Sequence, residues 1–364
     1  VPRGDTTVVD AYLSPILRRY VGQVGQQLPG ARLLFMQSNG GLTGADRFQG
    51  KDSILSGPAG GIIGMVRTAE LAGFGHIIGF DMGGTSTDVS HYAGELEREF
   101  DTQVAGVRMR APMMSIHTIA AGGGSVLRFD GQRYRVGPDS AGANPGPACY
   151  RRGGPLTVTD CNVMLGKIQP EHFPAVFGPQ ADQPLDAEVV YDKFAALAQE
   201  IAQATGEPQS PQQVAEGFIR IAVANMANAI KFVSVQRGHD VTGYTLSCFG
   251  GAGGQHACLV ADELGMSRVY VHPLAGVLSA YGMGLADMTA MREKAVECML
   301  DDGAAATLQA ELDNISRASI AEVEAQGIPP AQIVLKQRVH LRYDGTDTAL
   351  IVNMDSVAAM REAF

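Results

Sequence analysis

The chain has 364 residues, of which 45% are hydrophobic and 18% charged, enough to build a large core in two or three domains. A formal net charge of −10, with no Lys/Arg cluster interleaved with aromatics, argues against a nucleic-acid surface. No run of about 18 apolar residues suggests a membrane span, and no signal-peptide pattern opens the chain. The five cysteines lack Cys-x-x-Cys spacing, so they read as reduced, cytoplasmic thiols rather than a disulfide framework or a zinc site.

Residues 8–28 place Leu13, Ile16, Leu17, Tyr20, Val21, Val24 and Leu28 at helical spacing. A strand over 32–37 then ends in Ser38-Asn39-Gly40-Gly41. Residues 55–65 are rich in small residues and predict a helix with Ser56 as N-cap. Its Gly60 and Gly61 suit close packing on another element and ligand contact equally.

Residues 77–90 are the most informative stretch. An apolar strand runs into Asp81, a Gly83-Gly84-Thr85 turn follows, and Asp88 opens a second strand. The glycines let backbone N–H groups approach a ligand, and such a turn forms a nest of donors for phosphate oxygens. Carboxylates only accept hydrogen bonds, so Asp81 and Asp88 make chemical sense beside a phosphate if Mg²⁺, or a water on it, lies between. The plain alternative is a tight hairpin turn with an acid on either side.

Residues 105–160 read as short strands and Gly/Pro loops, of which 120–125 and 142–150 are the richest. With Thr157-Val158-Thr159-Asp160 nearby in sequence, His117 and Asp160 are candidates to bind a metal or orient a substrate, or simply to make structural hydrogen bonds. A long helix over 211–235 carries Val214, Phe218, Ile221, Ala222, Met226, Ala229 and Val233 on one face. A buried strand over 244–249 then runs into Gly250-Gly251-Ala252-Gly253-Gly254-Gln255-His256 and a helix over 257–264. Four glycines exceed what a tight turn needs, so Gly250, Gly251, Gly253 and Gly254, with His256, suit a flat ligand face lying on the backbone. A strand over 269–273 and a small-residue helix over 276–288 follow. Beyond about 291 the composition shifts to an Ala/Glu-rich helix, then strands over 339–343 and 348–353.

Two glycine devices, each after a hydrophobic strand, match by analogy the second lobe of the actin, Hsp70 and sugar-kinase architecture. The expected fold class is therefore α/β, a ribonuclease H-like lobe plus part of a further α+β domain. The expected division is 1–75 (remainder of a first lobe and a connecting helix), 76–290 (second nucleotide-binding lobe) and 291–364 (start of the further domain). Both ends look cut. Val1 is not a start methionine, and the helix begun by Asp355-Ser356 stops after about two turns.

The chain also resembles the hydantoinase/oxoprolinase family along nearly its whole length. The resemblance rests on residues 1–4 with 10–13, Phe35-Met36, 55–61, and 79–90 with 92–95. Further on it rests on 120–125, Gly137-Pro138, 140–142, 145–150, 158–160, Arg237-Gly238-His239-Asp240, 248–258, and 341–343 with Gly345-Thr346-Asp347. It implies ATP-dependent opening of a cyclic amide, 5-oxo-L-proline, to L-glutamate, with the lactam carbonyl oxygen phosphorylated and water completing the hydrolysis. On that basis Asp81 and Asp88 would hold Mg²⁺, and Gly83, Gly84 and Thr85 would cradle the β- and γ-phosphates. Gly250, Gly251, Gly253 and Gly254 would carry the adenosine, while His117, Asp160 and His256 would supply polar groups to the pocket. The implied partners are a preceding N-terminal lobe, a C-terminal hydrolytic region or subunit, and further copies in a homo-oligomer. Alone, the chain is expected to be catalytically silent. Two other readings are an ATP-dependent hydantoinase or acetone-carboxylase-type subunit, which shares the nucleotide chemistry, and a non-catalytic ATP-binding module, which leaves 145–150 and 158–160 without a role.

Overall fold

The computed structural model describes residues 2–104, 106–346 and 349–364. Val1, Ala105, Asp347 and Thr348 lie outside the described residues.

A five-stranded mixed sheet organises the protein. Its order in space is Arg268–Tyr270, Thr245–Phe249, His76–Met82, Thr87–Ala93, His117–Ile119. The first three strands are mutually parallel, and the last two continue antiparallel from His76–Met82. Alternation along His76–Met82 sends Ile78, Phe80 and Met82 to one face and Ile77, Gly79 and Asp81 to the other.

The first face packs on Pro211–Val233, whose Phe218, Met226 and Ile230 are fully buried, and on Ala187–Thr205 behind it. Ser210 and Gln213 close a capping box at the start of Pro211–Val233, with Pro211 at its first position. Among the described residues this is the one helix long and apolar enough to cross a membrane, and its apolar side is spent on the core.

The second face is covered by Ser56–Leu71, which crosses Leu278–Leu285. The crossing is close because glycines meet there. A Cβ on Gly60 would stand 2.7 Å from Ser279 O, and one on Gly64 2.6 Å from Leu278 O. Gly60 is thus a packing residue. Gly61 faces the sheet, its missing Cβ 2.9 Å from the Phe249 ring and 3.5 Å from an Asp81 carboxylate oxygen. Ser56 is already the first helical residue; Leu55 holds the N-cap position without a side-chain cap.

The remaining elements flank this sandwich. Helix Pro2–Gln27 extends over the hairpin Arg98–Val104/Val107–Met114. Residues beyond 291 form helix Ala304–Glu324, hairpin Arg338–Leu341/Leu350–Asn353 and helix Val357–Ala363, joined by an apolar cluster of their own around Leu308, Val339, Val352 and Met360.

Candidate nucleotide site

Asp81 and Asp88 are directly opposite in the antiparallel ladder, so both carboxylates leave the same face of the hairpin. They line a narrow slot with Pro58, Ile62, Ser90, Ile116 and Phe249. Burial, then the facing Asp88 charge, pushes the Asp81 carboxyl up to about 6. Burial also raises Asp88, against a 2.6 Å hydrogen bond donated by Thr118 Oγ1. Two facing half-buried acids, the first of them raised further by the charge of the second, have the chemistry to accept a cation between them.

The turn between them is held from behind. Gly123 N–H donates to Gly83 O at 3.1 Å and Gly124 N–H to Gly84 O at 2.6 Å. Gly122 packs so tightly that a Cβ would stand 2.6 Å from Thr85 N. The 120–125 segment therefore supports the loop from behind. Among the described residues, no hydrogen bond uses the N–H groups of Gly84, Thr85 or Ser86, and a Cβ on Gly84 would meet nothing within 4 Å. Carbonyls are engaged behind and amides are free in front, which is the polarity of an anion nest.

The second glycine run follows Thr245–Phe249, beside His76–Met82, so its turn opens next to Asp81. Gly250 has φ +82°, and a Cβ there would collide with the Asp81 carboxylate and stand 2.5 Å from Met82 O. Gly251 and Gly254 are open. With Gly250, Lys167, Gln255, Val271 and Ala275 they line a cleft of about 480 Å³. Gly253 instead faces the core: a Cβ would stand 2.7 Å from Cys248 Sγ. Its requirement is packing, not a nucleoside face. The helix that follows, Ala257–Glu263, is entered through a 3₁₀ turn over Gly253–Gln255.

Three sequence candidates lie elsewhere. Asp160 is fully buried, accepting from Ala148, Cys149 and Thr157 backbone N–H and from Thr157 Oγ1. It closes a capping box at Val158–Met164 and pins the 145–150 loop, and its full burial keeps it away from any ligand. His256 is buried, its Nε2 3.1 Å from Asn162 Nδ2, and burial reinforced by the nearby Lys167 charge lowers the ring to about 4, keeping it neutral. His117 pairs with Val89, one residue out of register with the Asp88–Thr118 pair, so it faces away from the acids and its ring lies 4.4 Å from Phe232. It does not meet Asp160 as a metal pair. The residues the sequence missed are Thr118, which the strand's alternation sends to the face opposite its neighbour His117, and Lys167. Lys167 Nζ donates to Gln255 O at 3.1 Å, and burial lowers its pKa. No local motif marks it.

This 3-2-1-4-5-type sheet, with facing acids at the end of its central strand and glycine turns on either side, places the chain in the actin-like ATPase class of folds. The comparisons sharpen that. The family model described as hydantoinase/oxoprolinase matches residues 3–292, and the chain belongs to that family. It is 43% identical over 363 residues to 5-oxoprolinase 1 of Arabidopsis thaliana, covering 97% of this chain and 29% of that protein. Among solved structures it is similar to the ATP-dependent caprolactamase from Pseudomonas jessenii, with TM-score 0.82 and 30% identity over 100% of this chain and 54% of that one. Nucleotide-free acetone carboxylase aligns at TM-score 0.69 and 25% identity, covering 95% and 50%. The chain thus spans less than a third of the length of the oxoprolinase it matches.

Proposed function

We propose that this chain supplies the phosphate- and adenosine-binding half of an ATP site in a 5-oxoprolinase-type enzyme, which hydrolyses 5-oxo-L-proline to L-glutamate. The observation that carries the reading is the facing Asp81–Asp88 pair beside a glycine turn whose amides are free. The residues fit the implied groups: two half-buried acids accommodate Mg²⁺, and the empty Cβ positions of Gly84, Gly251 and Gly254 leave room for a nucleotide. Gly83, Gly84 and Thr85 receive the phosphates. Gly250, Gly251 and Gly254 form the floor under the nucleoside, with Lys167 as the cation at its edge. When bound, Mg-ATP would supply the phosphoryl group that turns the carbonyl oxygen of an amide, itself a poor electrophile, into a leaving group. The chain's own part in that chemistry is positioning and charge neutralisation. Gly253, Asp160, His256 and His117 take structural parts only.

The proposed division is 1–75, 76–290 and 291–364, with Ser56–Leu71 as the connecting helix lying on the second unit. The reading also includes a cytoplasmic setting, which suits the free thiols of Cys149, Cys161 and Cys248, a place in glutathione metabolism, and assembly with the remaining oxoprolinase regions as a homo-oligomer.

Two measurements test it. Calorimetric titration of the chain with ATP should give Mg²⁺-dependent binding that Asp81→Asn weakens about tenfold or more, as expected for a lost charge-assisted contact worth roughly 1.5–3 kcal/mol. Equal affinity in Asp81→Asn, or binding indifferent to Mg²⁺, would overturn the site. ADP release by the whole polypeptide carrying this chain, challenged with 5-oxoproline, hydantoin and caprolactam, tests the substrate. Stimulation by hydantoin or caprolactam but not by 5-oxoproline would overturn that part alone.

A further inference from the structure

On the opposite edge of the hairpin, three metal-capable side chains converge. His91 stands near the end of strand Thr87–Ala93, Glu97 follows six residues later, and His239 comes from the turn after helix Pro211–Val233. One ligand atom from each lies within 4.8 Å of the others, and among the described residues no other trio of His, Cys, Asp or Glu does so. The two imidazoles are stacked, with centroids 4.1 Å apart. His91 is buried, with Nδ1 2.6 Å from Glu97 Oε1 and Nε2 3.0 Å from Tyr244 Oη.

Either ring nitrogen of His91 can carry the proton. If Nε2–H donates to Tyr244 Oη, Nδ1 presents a lone pair toward a carboxylate oxygen. Two acceptors at that distance need a proton or a metal cation between them. An imidazole whose second nitrogen is held by an outer hydrogen bond is the usual form of a metal-ligating histidine. The charge balance allows a cation too. Arg237 pairs with Glu97 Oε2 at 3.3 Å and Glu99 Oε1 at 3.4 Å, and Ser115 donates to Glu99. One guanidinium against two carboxylates leaves a net charge of −1 with neutral histidines, and Glu97 Oε1 is the oxygen that Arg237 does not take.

We propose that His91, Glu97 and His239 bind a borderline divalent cation of the Zn²⁺ class, with water completing the coordination. Tetrahedral ligation needs ligand atoms roughly 3.3 Å apart. The His91–Glu97 pair must open slightly and His239 close, a side-chain rotation that its half-exposed turn permits. The ion would staple the outer hairpin to the 234–244 turn, which delivers strand Thr245–Phe249 and hence Gly250 to the nucleotide cleft. It is a separate site from the Asp81–Asp88 pair and does not depend on the reading of that pair.

The test uses chelator-stripped chain in a Cys258→Ser/Cys298→Ser background, because those two thiols are exposed and bind soft metals adventitiously. Competition of Zn²⁺ against a chromophoric chelator, and the visible spectrum with Co²⁺, should show one ion per chain that millimolar Mg²⁺ does not displace. His239→Ala and Glu97→Gln should each lose tenfold or more in Zn²⁺ affinity. Glu99→Gln should retain it, and circular dichroism of each variant verifies the fold. Zn²⁺ should also raise the melting temperature of the parent and leave that of His239→Ala unmoved. No stoichiometric binding in the parent, or the same affinity in His239→Ala, would overturn the proposal.

Discussion

The two glycine turns look alike in sequence and differ in how the fold uses them. At 83–84 the glycines are open on one side, and the tight packing has been passed to a second chain segment, Gly122–Gly124, which binds their carbonyls. At 250–254 one run does both jobs: Gly250 and Gly253 are required by backbone conformation and core contact, Gly251 and Gly254 face open space. A run of glycines therefore marks a place where backbone comes close to something, and only the fold says whether that is a ligand or the protein itself.

The largest effects should come from breaking this split in the second turn. Gly250→Ala and Gly253→Val should each cost about 3 kcal/mol or more in urea unfolding, from a positive-φ position and an overpacked core respectively. Gly251→Ala and Gly254→Ala should stay within about 0.5 kcal/mol of the parent while lowering ATP affinity in calorimetry. Similar stability losses at all four positions would erase the distinction.

In the first turn the division falls between two segments of the chain. Gly122→Ala should cost about 2 kcal/mol, because its Cβ would push on Thr85 N and neither backbone can yield. Gly84→Ala should leave the thermal midpoint nearly unchanged and weaken ATP binding. The reverse ranking would mean that the 120–125 segment is the ligand wall and the 83–85 turn its support.

The smallest effect concerns the acids shared by both turns. Asp81 is raised above its unfolded value of 3.8 to about 6. Its protonated form is favoured by the fold, so its contribution to stability is complete below the unfolded value and lost as pH rises through about 6. Above that, a half-buried charge faces Asp88 without a cation. Asp81→Asn should therefore stabilise the ligand-free chain at pH 7.5, on the order of 1–2 kcal/mol, and the advantage should vanish below about pH 4. Melting curves across that range, with and without Mg²⁺, measure it. A variant less stable than the parent at pH 7.5 without Mg²⁺ would show that the carboxylate is a structural acceptor.

Much of the lobe was legible because its signals are local. The apolar strand running into Asp81, the apolar face of the helix after residue 211, and Gly-Gly-Thr between two acids each follow from a few neighbouring residues. The misreadings share a cause. Residue type and company make Asp160, His256 and Gly253 site candidates in the sequence, but each is turned inward by contacts with residues distant in sequence or by its helix cap. Lys167 and the His91–Glu97–His239 cluster were missed for the converse reason: nothing near them in the chain announces what they meet.

By itself, the sequence determined that two glycine turns follow two buried strands and that acids flank the first, since hydrophobic period and turn chemistry are properties of short segments. Only the tertiary structure decided that those strands lie side by side, that Asp81 and Asp88 face each other across one ladder, and which glycines meet solvent. The Asp81–Asp88 register is that of a hairpin closed by its own short turn, whereas the side-by-side strands and the exposure of each glycine depend on the parallel crossover that includes Pro211–Val233 and on long-range packing that no local pattern encodes.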